Sequence, residues 1–75
     1  MSKRPITIPL HRRVWCKIRF WQSLHNIPDE TLARYLDLSV RTLREYDRDA
    51  GSLSLERLES FMSATGLTLE QLITF

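Results

Sequence analysis

The stretch DETLARYLDLSVRTLREYDR, residues Asp29 to Arg48, decides the fold of this chain. It predicts two short helices joined by a tight turn, because Ala33 is small enough for two helices to approach closely and Asp37 follows in the turn. Leu38 and Leu43 are expected to face inward across that turn. This spacing is typical of a helix-turn-helix.

The second helix of this pair carries the candidate recognition surface. Ser39 stands just before it, where the hydroxyl can accept a hydrogen bond from the unpaired amides of the first helical turn. The helix is expected to run from Val40 to about Asp47 and to bury Leu43 and Tyr46. Its outward face is expected to present four charged side chains, those of Arg41, Arg44, Glu45 and Arg48.

Length and composition predict one small domain. A chain of 75 residues needs compact helix packing or a partner, because a domain of this size buries only about 60% of the surface that its unfolded chain exposes. Pro5 and Pro9 keep the start of the chain out of a helix, which divides it into a basic arm, residues 1–9, and a single domain, residues 10–75. The segment from Ile6 to Ile8 is expected to be either disordered or a strand.

The sequence also predicts a cytoplasmic location without membrane contact. No apolar stretch approaches the roughly 18 residues of a membrane span. The basic start is followed by an apolar segment too short for a secretory signal, and no small-residue cleavage site follows it.

The charge is unevenly distributed along the chain. Residues 1–28 carry six lysines and arginines and no acid, a net charge of +6, whereas residues 29–75 carry five arginines and nine acids, a net charge of −4. This polarity favours an anionic partner for the first half. A solvated helix face beside a basic tail would explain the same charges, and the sequence leaves both interpretations open.

The first helix is expected to begin at Leu10 or His11 and to be amphipathic. Its apolar stripe is expected to consist of Leu10, Val14, Ile18 and Trp21. Trp15 and Phe20 fall off this stripe, so at least one of these two aromatic side chains is expected to be half exposed. Such a side chain would belong either to a partner surface or to a covered satellite core.

Two further helices, the fourth and the fifth, complete an all-α domain. The helix before the turn is expected from Pro28 to Leu36. Ser54 opens the fourth helix, Gly66 ends it in a left-handed conformation, and Thr68 begins a short fifth helix. The inner faces are expected to consist of Leu32, Ala33 and Leu36 in the second helix, and of Leu55, Leu58, Phe61 and Met62 in the fourth.

The residue pattern does not favour an enzyme. The sequence contains no glycine-rich phosphate loop and no nucleophile beside a recognisable base, and the chain is too short for a sizeable substrate pocket. Cys16 has no companions at metal-ligand spacing and is expected to be a buried structural thiol. His11 and His25 also lack such companions, so neither a metal site nor a cofactor is expected.

From Ile18 to Ile73 the sequence resembles the Cro and phage-repressor type of helix-turn-helix proteins, the XRE family. Three segments carry the resemblance in this order: IPDETLARYLDLSVRTL, SLERLESFMSATGL and TLEQLI. The resemblance implies a compact five-helix bundle, a lambda-repressor-like DNA-binding domain. Its third helix would enter the major groove, usually with the protein as a dimer on a two-fold operator.

The resemblance also implies which residues would contact DNA. Base edges would be read by Val40, Arg41, Arg44 and Glu45. Arginine can donate two hydrogen bonds to guanine, glutamate can accept one from cytosine, and valine can touch a thymine methyl group. Phosphates would be contacted by Thr42, Arg48, Gly51 and Ser52, which position the protein without reading sequence. Lys3 and Arg4 in the arm would follow the duplex into a groove.

The chain departs from the family pattern in its charges. Pro28 and Asp29 stand where most members place Ser or Thr and then a phosphate-contacting glutamine, and Asp37 stands where the turn usually holds glycine. Members often pair an arginine near the end of the first helix with a glutamate after the third. Those positions are Gln22 and Asp47 here, so a neutral hydrogen bond is expected. The acids expected to crowd the DNA-facing side are Asp29, Asp37, Asp47 and Asp49.

Two functions are compatible with these features. The first is a sequence-specific DNA-binding transcription regulator, a repressor or switch protein of phage or mobile-element type, acting as a homodimer on double-stranded DNA. Its dimer interface is expected at Leu69, Leu72, Ile73 and Phe75, although these side chains could equally close the core of the monomer. The alternative is an antirepressor-like or antitoxin-like interaction module that keeps the fold and binds another regulator through Trp15, Phe20 and Trp21.

Overall fold

Five α-helices account for most of residues 8–74, the part of the chain that the computed structural model describes, and no strand occurs within it. The helices are α1 (Leu10–Leu24), α2 (Asp29–Leu36), α3 (Val40–Glu45), α4 (Leu55–Thr65) and α5 (Leu69–Thr74). Several expectations lie outside the described residues: the arm cations Lys3 and Arg4, the possible strand at Ile6 and Thr7, and the proposed interface residue Phe75.

Local capping interactions define the starts of α3, α4 and α5 as the sequence predicts. The hydroxyl of Ser39 accepts a hydrogen bond of 3.1 Å from the Thr42 amide, and that of Ser54 accepts one of 3.2 Å from the Arg57 amide. At Thr68 the hydroxyl accepts from the Gln71 amide, while the Thr68 amide donates to the Gln71 side chain. These contacts, which are reciprocal only between Thr68 and Gln71, satisfy amides that a helix leaves unpaired.

The turn between α2 and α3 depends on a left-handed residue. Asp37 follows Leu36 with φ 59° and ψ 47°, a conformation that aspartate tolerates better than most residues with a side chain. The Leu38 amide then donates to the Ala33 carbonyl at 2.8 Å, which closes the end of α2. The chain therefore reverses within a few residues and places α3 against α2.

The hydrophobic core joins all five helices. Trp21 packs edge to face on Phe61, with ring centroids 5.2 Å apart, and Trp15 packs in the same way on Tyr46. Helix α2 packs mainly on α4 and also on α3, and α5 packs on α1. The fully enclosed side chains include Ile18, Leu32, Leu36, Leu43, Phe61 and Leu72.

The buried side of α1 differs from the expected stripe. Leu10 is 69% exposed, whereas Trp15 is only 2% exposed. The indole of Trp15 is enclosed because it packs on Tyr46 and its Nε1 donates to the Asp47 carboxylate at 2.9 Å. Leu10, in the first turn, extends past this packed region. The expectation of one half-exposed aromatic side chain is confirmed by Phe20, at 48%.

Two other burial expectations, for Leu55 and Cys16, are wrong, and a third, for Met62, is confirmed in part. Leu55 is 83% exposed because it is the first residue of α4, and this helix packs instead through Leu58 and Phe61. Met62 is only partly buried, at the edge of the core. Cys16 is exposed rather than a buried thiol, because it lies on α1 next to the inward-facing Trp15 and a helix turns about 100° per residue.

The boundaries of α2 and α3 differ slightly from the expected ones. Pro28 precedes α2 in an extended conformation instead of forming its first residue. Helix α3 ends at Glu45, not near Asp47. Beyond Glu45 the Asp47 carboxylate is held by Trp15, and the Asp47 carbonyl accepts a hydrogen bond of 2.8 Å from Arg12. These contacts fix the chain in a turn.

Within residues 8–74, no helix has both the length and the apolar character that crossing a membrane requires.

Candidate functional site

The outward face of α3 presents three of the four charged side chains that the sequence predicts there, because the helix ends at Glu45 and Arg48 lies beyond it. Arg41, Arg44 and Glu45 are exposed, while Leu43 on the opposite side is fully buried and anchors the helix. Arg41 Nε lies 3.7 Å from the Glu45 carboxylate. Such an exposed pair contributes only about 0.3–0.5 kcal/mol, so either partner can exchange it for a ligand at little cost.

Val40 differs from the other proposed base-contacting residues. It is partly buried and packs against the core. Its position as the first residue of α3, directly after the Ser39 cap, turns part of its side chain inward. The charged face therefore consists of Arg41, Arg44 and Glu45, with Val40 at its edge.

Arg44 is held on one side of its guanidinium group. Its Nε donates a hydrogen bond of 3.1 Å to Oδ2 of Asp29, the first residue of α2. Its two terminal nitrogens, Nη1 and Nη2, make no hydrogen bond to any residue between 8 and 74, and the side chain is 64% exposed. The group is thus restrained at Nε and open at its outer edge.

A set of polar side chains, here called the Arg19 network, surrounds this contact. It consists of Arg19 and Gln22 from α1, Asp29 from α2, Arg44 from α3 and Asp47 from the turn after α3. Arg19 donates from Nε and Nη2 to the two oxygens of Asp47, at 2.9 and 2.8 Å. Its Nη1 donates to Asp29 Oδ1 at 2.9 Å and to Gln22 Oε1 at 2.6 Å. One guanidinium group therefore connects three parts of the fold.

The expected neutral hydrogen bond between Gln22 and Asp47 is wrong. An ion pair to Asp47 is present, but Arg19, nearly one turn earlier on α1, supplies it. Gln22 instead donates from Nε2 to Asp29 Oδ1 at 2.8 Å and to the Ile27 carbonyl at 2.9 Å. The side chain of Gln22 thus connects the end of α1 with the start of α2.

The network keeps both of its carboxylates ionised. Hydrogen bonds from Gln22 and then from Arg19 lower the pKa of Asp29 from 3.8 to about 2. The hydrogen bond from Arg19 also lowers the pKa of Asp47. Although partial burial opposes its charge, the pKa of Arg19 is raised by hydrogen bonds to Asp47 and Asp29. At neutral pH all of these groups are charged.

The two remaining acids of this region also have partners within the chain. The Asp37 carboxylate lies 3.1 Å from Nη1 of Arg57, which reaches it from α4. Asp49 accepts a hydrogen bond of 2.9 Å from the Gly51 amide, and one of its oxygens lies 4.0 Å from His11 Nε2. The acids that were expected to crowd the DNA-facing side are therefore each engaged by a hydrogen-bond donor of the chain.

No family model matches this chain, and comparisons with curated proteins and with solved structures find no match either.

The proposed phosphate-contacting residues fall into two groups. Arg48 is exposed, and its guanidinium has no partner within the described part of the chain. The other three are engaged locally. Thr42 shares a hydrogen bond of 3.0 Å with the Ser39 hydroxyl, the Gly51 amide donates to Asp49, and the Ser52 carbonyl accepts a bond from Tyr46. Because the amide of Gly51 already binds a carboxylate, a phosphate would have to displace Asp49 there.

The proposed protein-binding surface is largely enclosed. Trp15 and Trp21 are both buried in the core, so of the three aromatic side chains only Phe20 is exposed. The proposed dimer interface is also reduced, because Leu72 is fully buried where α5 packs on α1. Leu69 and Ile73 remain about half exposed.

The sequence interpretation missed the roles of Arg19 and Asp29 as parts of the site. Arg19 was visible only as one cation of a basic segment. A usable signal was its position next to Ile18, which places it at the border of the buried face. Within residues 8–74, no three His, Cys, Asp or Glu side chains come together in a way that would hold a metal ion.

Proposed function

We propose that this protein is a sequence-specific DNA-binding transcription regulator that reads the major groove with α3. In this proposal α2, the Asp37 turn and α3 form a helix-turn-helix within a lambda-repressor-like domain, and α3 acts as the recognition helix. Arg41, Arg44 and Glu45 would contact base edges. The proposal also includes action as a repressor or switch protein of phage or mobile-element type.

One observation carries the proposal: exposed arginines lie along α3 while the neighbouring acids are engaged inside the chain. A purely structural bundle gains little from exposed Arg41 and Arg44 on α3 and from exposed Arg48 just beyond it, because exposed ion pairs contribute little stability. The carboxylates of Asp29 and Asp47 would repel DNA phosphates if no cation of the chain were paired with them. The two carboxylates are instead paired with two cations: Arg19, whose side chain is three quarters buried, contacts both, and Arg44 contacts Asp29.

The arrangement also supports a division of labour among the arginines. Arg44 is restrained and has open Nη groups, which suits directional hydrogen bonds to a base. Arg48 lies beyond the end of α3 and is unrestrained, which suits a phosphate contact that carries no sequence information. Arg12, whose Nη1 binds the Asp47 carbonyl, adds positive charge beside the same turn.

Dimerisation is part of the proposal because one small module buries only about 600–1,000 Å² on DNA and binds weakly alone. The half-exposed Leu69 and Ile73 on α5 are the described residues available for this contact. Sedimentation equilibrium with and without DNA would measure it. Replacing both residues with serine should lower affinity for a two-fold site while leaving affinity for a half-site unchanged.

The direct test is selection from a random pool of DNA duplexes, with binding followed by fluorescence anisotropy at low and moderate salt. The expected result is enrichment of a palindrome whose half-site centres lie about one helical turn apart. Arg44→Ala should relax base preference, whereas Arg48→Ala should weaken binding to all sequences and reduce the salt slope by about one. Arg34→Ala, which changes an exposed cation of α2, is the control.

Absence of binding even at low salt would refute the proposal. The interaction module would then be the better hypothesis, with exposed Phe20 as the remaining aromatic contact. If Arg44→Ala and Arg48→Ala weakened binding equally on all sequences, the base-reading role of Arg44 would be refuted, but DNA binding by the protein would not.

A further inference from the structure

We propose that Asp29 is a positioning residue that fixes Arg44 for guanine and so sets base preference at one position of the DNA site. This inference rests on the proposed function and deepens it. Asp29 belongs to α2 and would not itself contact a base. It would act through the guanidinium group of Arg44.

The geometry divides the guanidinium of Arg44 into a held edge and an open edge. Nε donates to Asp29 Oδ2 at 3.1 Å. An arginine that reads guanine by two parallel hydrogen bonds can use its two terminal nitrogens, which donate to O6 and N7. In Arg44 these nitrogens have no partner among residues 8–74, so the contact with Asp29 leaves the pair available.

Asp29 is itself held rigidly enough to orient a second side chain. Its Oδ1 accepts hydrogen bonds from Arg19 Nη1 at 2.9 Å and from Gln22 Nε2 at 2.8 Å. Both donors come from α1, and Arg19 is in turn bound by both oxygens of Asp47. The carboxylate therefore has a defined orientation before DNA arrives, and only Oδ2 is directed to Arg44.

This arrangement reduces the cost of ordering the arginine. A long, exposed side chain loses rotamer freedom when it is immobilised on binding, and this loss lowers affinity. Arg44 already has a partner at Nε, so part of this ordering precedes binding. The negative charge of Asp29 also remains paired when Arg44 binds a base, because Arg19 and Nε of Arg44 stay in contact with it.

The orientation of Arg44 predicts guanine rather than adenine as its target. The open Nη groups are donors only, and guanine presents two acceptors in the major groove, whereas adenine presents one acceptor and one donor. Glu45, the next residue, is an acceptor whose ion pair with Arg41 is exposed and weak. Glu45 pairs with Arg41, so it does not compete with Asp29 for Nε of Arg44.

The test compares Asp29→Asn with Glu30→Gln, which removes the neighbouring exposed acid of α2. Both variants and the wild type are titrated against the selected duplex and against duplexes in which one guanine at a time is replaced. In Asp29→Asn, the preference for one guanine should fall by at least about 5-fold and at most about 160-fold, the range that one bidentate contact supplies. Glu30→Gln should retain the wild-type preference.

Arg44→Lys provides the matching change on the other side of the contact. Lysine keeps the positive charge but lacks the planar fork, so preference for the same guanine should be lost while non-specific affinity is retained. In the Arg44→Lys background, Asp29→Asn should cause no further loss of preference. This lack of additivity is what a shared contact requires.

A separate measurement uses the unaltered protein. In ¹⁵N-detected hydrogen exchange near pH 6, the Nε–H of Arg44 should be protected, whereas that of Arg48, which is exposed and unrestrained, should exchange rapidly. Equal exchange at the two arginines would overturn the inference even if Asp29→Asn failed to fold.

The outcomes separate this inference from the proposed function. If the protein selects a palindrome but Asp29→Asn retains every base preference, the positioning role is wrong and the DNA-binding function stands. If Asp29→Asn binds all duplexes more tightly by the same factor, Asp29 only repels phosphates and the positioning role is again wrong. If the wild type binds no duplex, both proposals are wrong.

Discussion

Replacing Arg19 with methionine should destabilise the fold more than any other change of an arginine among the described residues. Methionine keeps most of the length of the side chain and can still cover Trp15, whose ring lies 5.6 Å from the Arg19 guanidinium carbon. The variant therefore removes the charge and the hydrogen bonds with little loss of packing. Among residues 8–74, it leaves Asp29 with Gln22 and Arg44 as side-chain donors, and Asp47 with Trp15 alone.

The magnitude follows from the exposure of the two carboxylates. Hydrogen bonds to charged groups contribute about 1.5–3 kcal/mol when water is excluded, and exposed ion pairs contribute about 0.2–1 kcal/mol. The Asp29 side chain is 24% exposed and that of Asp47 is 46% exposed, so the first contact should lie near the higher range and the second near the lower. We expect a total loss of about 2–3 kcal/mol.

Thermal and urea unfolding followed by circular dichroism would measure this loss. For a domain of this size the expected decrease in Tm is about 10–20 °C. Arg34→Met is the matched control, because Arg34 is exposed and makes no side-chain contact within the described part of the chain; its effect should stay within about 0.5 kcal/mol. If the two variants unfold at the same temperature, solvent screens the Arg19 network and our account of the site is wrong.

Three further predictions concern acid stability, reactivity and the core. In the folded protein the pKa of Asp29 is lowered to about 2 and that of Asp47 is also lowered, so the unfolded chain binds more protons in acid and the free energy of unfolding should decrease as pH falls from about 4 to 2. Asp29→Asn should flatten the dependence of Tm on pH, and an unchanged slope would contradict this prediction. The exposed thiol of Cys16 should react fully with Ellman's reagent without denaturant, whereas reaction only in urea would show that it is buried. Leu72→Ala should lower the free energy of unfolding in urea by about 2–5 kcal/mol because the side chain is fully buried, whereas Ile73→Ala should lower it by less than 1 kcal/mol. Equal losses in the two variants would contradict the packing of α5.

The sequence predicts the helices because their ends are encoded locally. Ser39, Ser54 and Thr68 each precede the amides that they cap, and Gly66 adopts the left-handed conformation expected at the end of α4. Asp37 occupies the turn in the left-handed conformation. These features depend on residues within about four positions of one another, so a single sequence is sufficient to identify them.

Packing and charge pairing are less predictable because they depend on distant parts of the chain. The apolar periodicity of α1 is compatible with more than one buried stripe. Trp15 rather than Leu10 is buried because Trp15 contacts Tyr46 and Asp47, which lie more than thirty positions later in the chain. The Arg19 contacts span ten and 28 positions. Sequence spacing alone cannot show that Arg19, rather than Gln22, reaches Asp47.

The sharing of Asp29 between Arg19 and Arg44 constrains how this protein can diverge. Oδ1 supports the junction of α1 and α2, while Oδ2 restrains a side chain on the exposed face of α3. A change at Arg44 leaves an acceptor of Asp29 without its cation, and a change at Asp29 weakens the junction as well. New base preferences should therefore arise by paired substitutions in α2 and α3, with Arg19 retained throughout.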